Sequence, residues 1–206
     1  MNELEWDPSI NANHVGVAVS NGVVTLTGHL DTFAQKYAIE KAVGRVAGVK
    51  AIAVEMDVKL EPGHKRSDTE VASAVELALK WNALVPDEKI QVKVEKGRVT
   101  LSGELNWDYQ RRSAEKAVRP LIGVVGVNNV IKLKPTATPA NVESRIRDAL
   151  TRHAEAEAKN IKVIVDDSSV FLRGKVDSWA ERVAAAGAAW EAPGISRVVN
   201  ELSVEP

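Results

Sequence analysis

Three glycine-marked heptads constrain the fold of this chain more than any other feature. Gly22-Val23-Val24-Thr25-Leu26-Thr27-Gly28 and Gly97-Arg98-Val99-Thr100-Leu101-Ser102-Gly103 share five identities and lie 75 residues apart. A third copy, Ser168-Ser169-Val170-Phe171-Leu172-Arg173-Gly174, follows 71 residues later with its first glycine replaced. Twenty residues beyond each closing glycine stands another, in Gly48-Val49, Gly123-Val124 and Gly194-Ile195. Each is followed by an alternating apolar run: Val54-x-Met56-x-Val58, Val127-x-Asn129-x-Ile131-x-Leu133 and Val198-x-Asn200-x-Leu202-x-Val204. A fixed period of this length is the mark of a repeated structural unit. The chain reads as one module copied three times, over residues 1–62, 63–135 and 136–206.

Each copy opens with a hairpin. His14–Ser20 and Val23–Leu30 alternate apolar and polar residues around Asn21-Gly22, a pair that favours the two left-handed positions of a type I′ turn. Lys96-Gly97 takes that place in the second copy, and Asp167-Ser168, a weaker turn former, in the third. Gly28, Gly103 and Gly174 close the second strand, where a missing Cβ permits close backbone approach. A helix follows. Thr32-x-x-Gln35 and Ser178-x-x-Glu181 fit a capping box. Apolar residues at spacings of three and four (Ile39, Ala42, Val43 and Val46 in the first copy) turn one face onto the sheet. The second glycine, Gly48, Gly123 or Gly194, stops the helix before the last strand.

Ahead of copies two and three, Thr69–Trp81 and Val142–Ala154 read as further helices, capped by Ser67-Asp68 and Pro139-Ala140-Asn141. The expected fold is therefore α+β: three tandem αββαβ modules, each a three-stranded mixed sheet with helices on one face. Pro62-Gly63-His64-Lys65 and Pro135–Pro139 are the linkers, short enough to keep the modules in contact. Trp6 aligns with Trp81, so the first module lacks most of its first helix. That leaves an apolar sheet face bare, or covered by another module or another chain.

The hairpin glycine, the Ala-rich helix and Gly-Val followed by V-x-N-x-L-x-V resemble the BON domain family of bacterial osmotic-stress and nodulation-associated proteins. In the third copy the last element reads Val198-Val199-Asn200-Glu201-Leu202-Ser203-Val204, whereas the first carries Val54 in place of the asparagine. The resemblance implies association with phospholipid or envelope surfaces, no catalysis, no cofactor and commonly a periplasmic home.

The copies differ in charge and in apolar surface. The first carries 5 basic and 8 acidic residues, the second 13 and 9, the third 9 and 11. Positive charge thus gathers in the second module. Its first helix is also the most apolar, with Ser73, Glu76 and Lys80 as a narrow polar stripe, so it requires cover on more than one side. Burial between modules of this chain provides that cover, or else a membrane or partner does. Leu77 and Trp81 on that helix, with Trp107, Tyr109, Arg111 and Arg112, form the candidate lipid or partner surface, since aromatic and basic side chains favour head-group depth.

Other chemistry finds little support. The chain has no cysteine, which excludes disulfides, thiolate metal sites and cysteine nucleophiles. His14, His29, His64 and His153 show no metal-ligand spacing, and Asp166-Asp167 sits at a turn. No phosphate loop, G-x-S-x-G elbow or H-E-x-x-H occurs. Gly123-Val124-Val125-Gly126 looks like a KH-type loop but carries no basic residue. A net charge of −1 argues against nucleic acid as a partner. No run approaches the roughly 18 apolar residues of a membrane span. The N-terminus shows no signal peptide, so the chain as given reads as cytoplasmic, and as periplasmic if a leader was removed. The expectation is a non-enzymatic, stress-associated binding protein that attaches to anionic phospholipid or envelope surfaces chiefly through module 2. The alternative is a protein-interaction scaffold or homo-oligomer that uses the uncovered face of module 1.

Overall fold

The computed structural model describes residues 1–135, 141–153 and 161–205. The cap at Pro139-Ala140, most of the Pro135–Pro139 linker and the expected helix end at Ala154 lie outside them.

Among the described residues three separate sheets form, one per repeat. The first has the order β1 (Val15–Ser20), β2 (Val23–Leu30), β3 (Ala51–Val58). The second is β4 (Ile90–Glu95), β5 (Arg98–Leu105) and a last strand in two pieces, β6 (Gly126–Asn129) and β7 (Lys132–Leu133). The third is β8 (Ile161–Asp166), β9 (Ser169–Val176) and β10 (Arg197–Val204). In each the second hairpin strand is central, antiparallel to its hairpin partner and parallel to the last strand. Parallel neighbours need a crossover, and a helix supplies it each time: α2 (Phe33–Gly44), α4 (Asp108–Val118) and α6 (Trp179–Trp190). A helix also precedes each hairpin: α1 (Asn2–Glu5), a single turn, then α3 (Asp68–Lys80) and α5 (Val142–His153).

The repeat carries through to the packing. Val24, Leu26 and Leu30 of β2 are buried, as are Val99, Leu101 and Leu105 of β5 and Val170, Leu172 and Val176 of β9. Val71, Val75 and Leu79 on α3 match Val142, Ile146 and Leu150 on α5, again all buried. Leu4 on α1 takes the place of Leu79 and is buried with Ile10 in the first core. The rest of that helix has no counterpart in module 1. Val94 of β4 is half-covered, whereas its equivalent Val19 is 67% exposed. A side chain at Gly123 would meet Val71 and Arg66, but one at Gly48 would meet nothing within 4 Å. The expected bare face is present, confined to the end that α3 covers in module 2.

Local signals behave as their chemistry requires. Asn21, Lys96 and Asp167 adopt φ of 51°, 52° and 49° at the first turn position, followed by left-handed glycines in the first two copies only. At the start of α6, Ser178 Oγ accepts from the Glu181 N–H, while the Glu181 carboxylate accepts from the Asp177 N–H and the Ser178 hydroxyl, one residue displaced from the expected box. At α2 only half of the box forms: Thr32 accepts from the Gln35 N–H, while the Gln35 Oε1 is buried without a partner. The asparagine of the last strand proves to be a clasp. Asn129 and Asn200 donate to the backbone carbonyls of Arg111 and Arg182, tying strand to crossover helix, and each accepts an N–H two residues on.

The closing glycines have a direct steric cause. A Cβ on Gly28 would lie 1.9 Å from the His14 carbonyl oxygen, and φ there is 120°. Gly28→Ala is expected to cost about 3 kcal/mol or more, strain and backbone overlap together. Gly48→Ala, with φ of 80° and open space, should cost about 1 kcal/mol. Urea unfolding of the two variants measures the difference.

Candidate functional site

Two features of the surface and the module boundaries stand out. The first is the C-terminal end of α3. This helix rests on its own sheet through Val71, Val75 and Leu79. Of the two covers expected for its remaining apolar side, the neighbouring modules supply none at its C-terminal end. Leu77 is 57% exposed, Trp81 just past the helix 82%, and Leu84 in the following turn 56%. Sequence periodicity missed Leu84, because it lies beyond the helix in a turn held by Asn82, which accepts the Leu84 N–H. Its Trp-x-x-Leu spacing was the available signal. Lys80 and Lys89 are exposed nearby in sequence. Isolated apolar surface residues are ordinary, but a group of three that includes a nearly free tryptophan is not.

The second feature is where the modules meet. Asp108, the first residue of α4, is buried, and it pairs with Arg111 and with Arg112 one turn along. Arg111 lies over the Trp190 ring of module 3, 4.5 Å from its centroid. Arg119, just beyond the end of α4, lies 3.7 Å from the centroid of Tyr37 in module 1. Gly44, the last residue of α2, abuts Trp179 of module 3 so closely that a Cβ would stand 2.9 Å from the indole Cδ1. Gly44, Arg119 and Trp190 are equivalent positions in the repeat. Each is at the C-terminal end of a crossover helix and touches the N-terminal half of another: α2 on α6, α6 on α4, α4 on α2. The contacts run head to tail and close on themselves, the three-membered form of a heterologous ring. Phe33, Trp179 and Trp190 also pack against the cores of neighbouring modules.

The candidate residues therefore separate. Leu77 and Trp81 stand at the α3 end. Arg111 is drawn into the boundary between modules 2 and 3, while Arg112 keeps half of its side chain in solvent beside Asp108. Trp107 and Tyr109 are 41% and 47% exposed at the start of α4. Of the six fold-defining glycines, all at positive φ, Gly28, Gly103 and Gly174 do not end their strands but stand where the hairpin pairing stops, and Gly48, Gly123 and Gly194 lie in the turns beyond the crossover helices. Asp108, Tyr37 and Arg119 were not legible as junction residues, since one copy gives no clue to which other copy it faces.

No described helix is long and apolar enough to cross a membrane. The class defined by this architecture is a tandem array of small α+β modules, each with its own core. The BON domain family profile matches residues 1–59, 67–135 and 138–206, and the chain belongs to that family. It is similar to osmotically-inducible protein Y of Escherichia coli (strain K12), with 28% identity over 130 residues. That match covers 61% of this chain and 65% of the relative, just under two thirds of its length. Two solved structures of CdsD, a structural protein of the type III secretion system of Chlamydia trachomatis, are each 18% identical. The alignments cover all of this chain and 94% and 90% of those chains, at TM-scores of 0.28 and 0.26. Scores that low carry no argument.

The Asp108 cluster invites a direct check. Removing one partner of a buried ion pair leaves uncompensated charge and costs about 3–5 kcal/mol. Asp108→Ala strands its charge deficit on two arginines that are 26% and 51% exposed, so the expected loss is smaller, about 2 kcal/mol. Thermal or urea unfolding measures it, and Arg112→Ala should cost clearly less.

Proposed function

We propose that the chain is a non-enzymatic, stress-associated binding protein that attaches to anionic phospholipid surfaces through the C-terminal end of α3 in module 2. One observation carries the reading: Leu77, Trp81 and Leu84 are exposed together on the module that holds 13 of the 27 basic residues. Tryptophan favours the depth of the head groups, and leucines insert just below. Each basic residue close to an anionic surface adds about 1 kcal/mol, a contribution that salt screens. Family membership and the osmotically inducible relative support a role under stress. They also favour an envelope setting, which cell fractionation would test.

Arg112 contributes from beside α4, and Arg111 less, since its guanidinium is already committed to Asp108 and Trp190. Co-sedimentation with phosphatidylglycerol vesicles, against phosphatidylcholine vesicles as the neutral control, tests the reading. The expected outcome is binding to the anionic vesicles that falls with added salt. Trp81→Ala should weaken it about tenfold, the loss of roughly 1.4 kcal/mol. Arg112→Glu should weaken it by a smaller factor. Binding that ignores both salt and Trp81 would refute it.

A second reading rests on Val19, exposed on the bare end of the module 1 sheet, and on Val46, which lies exposed in the turn beyond α2 and not on the helix face turned to the sheet as its spacing suggested. An edge of this kind suits a protein-interaction scaffold or self-association. Light scattering over a concentration series distinguishes the two: a rising mass that Val19→Lys abolishes supports assembly, and a constant mass opposes it.

A further inference from the structure

The three junctions of the helix ring are built from equivalent positions but are not filled alike. In module 2, Glu115 on α4 is met by Arg119 one turn later and by the Asn129 amide. The same arginine lies on Tyr37. In module 1, Glu40 on α2 is the equivalent of Glu115, and both of its partners have been replaced: Arg119 by Gly44, and Asn129 by Val54. Among the described residues, Glu40 has no hydrogen bond or ion pair. It is nevertheless partly buried, and burial raises its carboxyl above the ordinary range, against a weaker pull from Lys36 and Arg119.

A cavity of about 390 Å³ opens at this place, between α2 and α6. Its walls are mostly apolar, with Gly44 and Tyr37 on one side and Trp179, Ala180 and Val183 on the other, and Glu40 among them. Gly44 is required by the close approach of Trp179, so the groove cannot easily be filled from that position. An apolar groove at a domain boundary with a single desolvated carboxylate and an aromatic wall suits an organic cation, which gains from both the charge and the ring. Two other cations line the groove. Arg45 is spent on Glu3 at 3.2 Å, and Lys41 is exposed, so its ammonium can remain in water.

We propose that the α2–α6 groove is a binding site for a small organic cation, a guanidinium or primary ammonium on a short apolar stem. Its head pairs with Glu40 and its stem lies along Trp179 and Val183. The cation supplies from outside what Arg119 supplies to Glu115 from within the chain. This site is independent of the lipid-facing end of α3.

Titration calorimetry on the full chain, with n-butylguanidinium, n-butylammonium and butyrate as probes, tests it. Saturable binding of either cation and none of butyrate is expected, with a rise in melting temperature for the cations. Glu40→Gln keeps the shape of the groove and should weaken cation binding at least tenfold without lowering the melting temperature of the free protein. Gly44→Arg should remove binding by providing an internal guanidinium. Since that variant also presses on Trp179, Glu40→Gln is the deciding one. N-acetylarginine amide binding more tightly than butylguanidinium would assign the natural source to a polypeptide side chain; the reverse would assign it to a free cation. Equal binding to the Glu40→Gln variant, a preference for butyrate, or no saturable cation binding would overturn the proposal.

Discussion

The fit of each crossover helix against the next module is the contact on which the arrangement of this chain depends. A BON module is small and carries its own core, and short linkers keep three of them near one another without fixing their relative orientation. Here the C-terminal ends of α2, α4 and α6 each meet the N-terminal half of another crossover helix. The three contacts share one geometry in the repeat yet use different chemistry: a glycine against an indole, and two guanidinium groups over aromatic rings. Each cation–π contact is worth only about 0.5–2 kcal/mol. Closure matters more than any single contact, because opening one junction leaves the chain still held by the other two.

That closure explains how duplicated modules can carry different residues at equivalent places. Phe33, Asp108 and Trp179 all begin crossover helices. Two of them enter a neighbour's core directly, and Asp108 instead anchors the arginine that lies on Trp190. Gly44, Arg119 and Trp190 divide the other half of the task. Once each junction has a partner of complementary size, the outer surfaces are free to diverge. Module 2 keeps an exposed apolar end on α3, and module 1 keeps a desolvated carboxylate facing Trp179 across a groove.

The repeat itself was plainly written in the sequence. Glycine spacing fixed the module count and period, and the alternation around Leu26, Leu101 and Leu172 located the centre of each core. Those signals are local: a left-handed turn, a strand closure or an apolar stripe depends on residues near one another in the chain. The role of Asn129 and Asn200 was visible only as a recurring letter, since the carbonyl each one clasps lies 18 residues away. The packing of α3 was legible only in part, for a related reason. Its composition said that it needed cover, but whether Leu77 and Trp81 receive any depends on where modules 1 and 3 sit. Arg111 and Arg112 looked like a free basic pair because a buried aspartate three and four residues earlier looks the same in sequence as a solvated one.

The absence of cysteine allows the ring to be measured directly. Spin labels on cysteines introduced at Ser20 in module 1, Glu95 in module 2 and Ser203 in module 3, taken two at a time, report the distance between modules by pulsed electron resonance. All three positions are exposed, and none belongs to the crossover-helix contacts. A closed ring predicts one narrow distance distribution for every pair, with only the module 2 to module 3 pair broadening when Trp190 is replaced by alanine and the other two staying narrow. Broad distributions in the unaltered chain, typical of modules moving independently on linkers, would contradict the account.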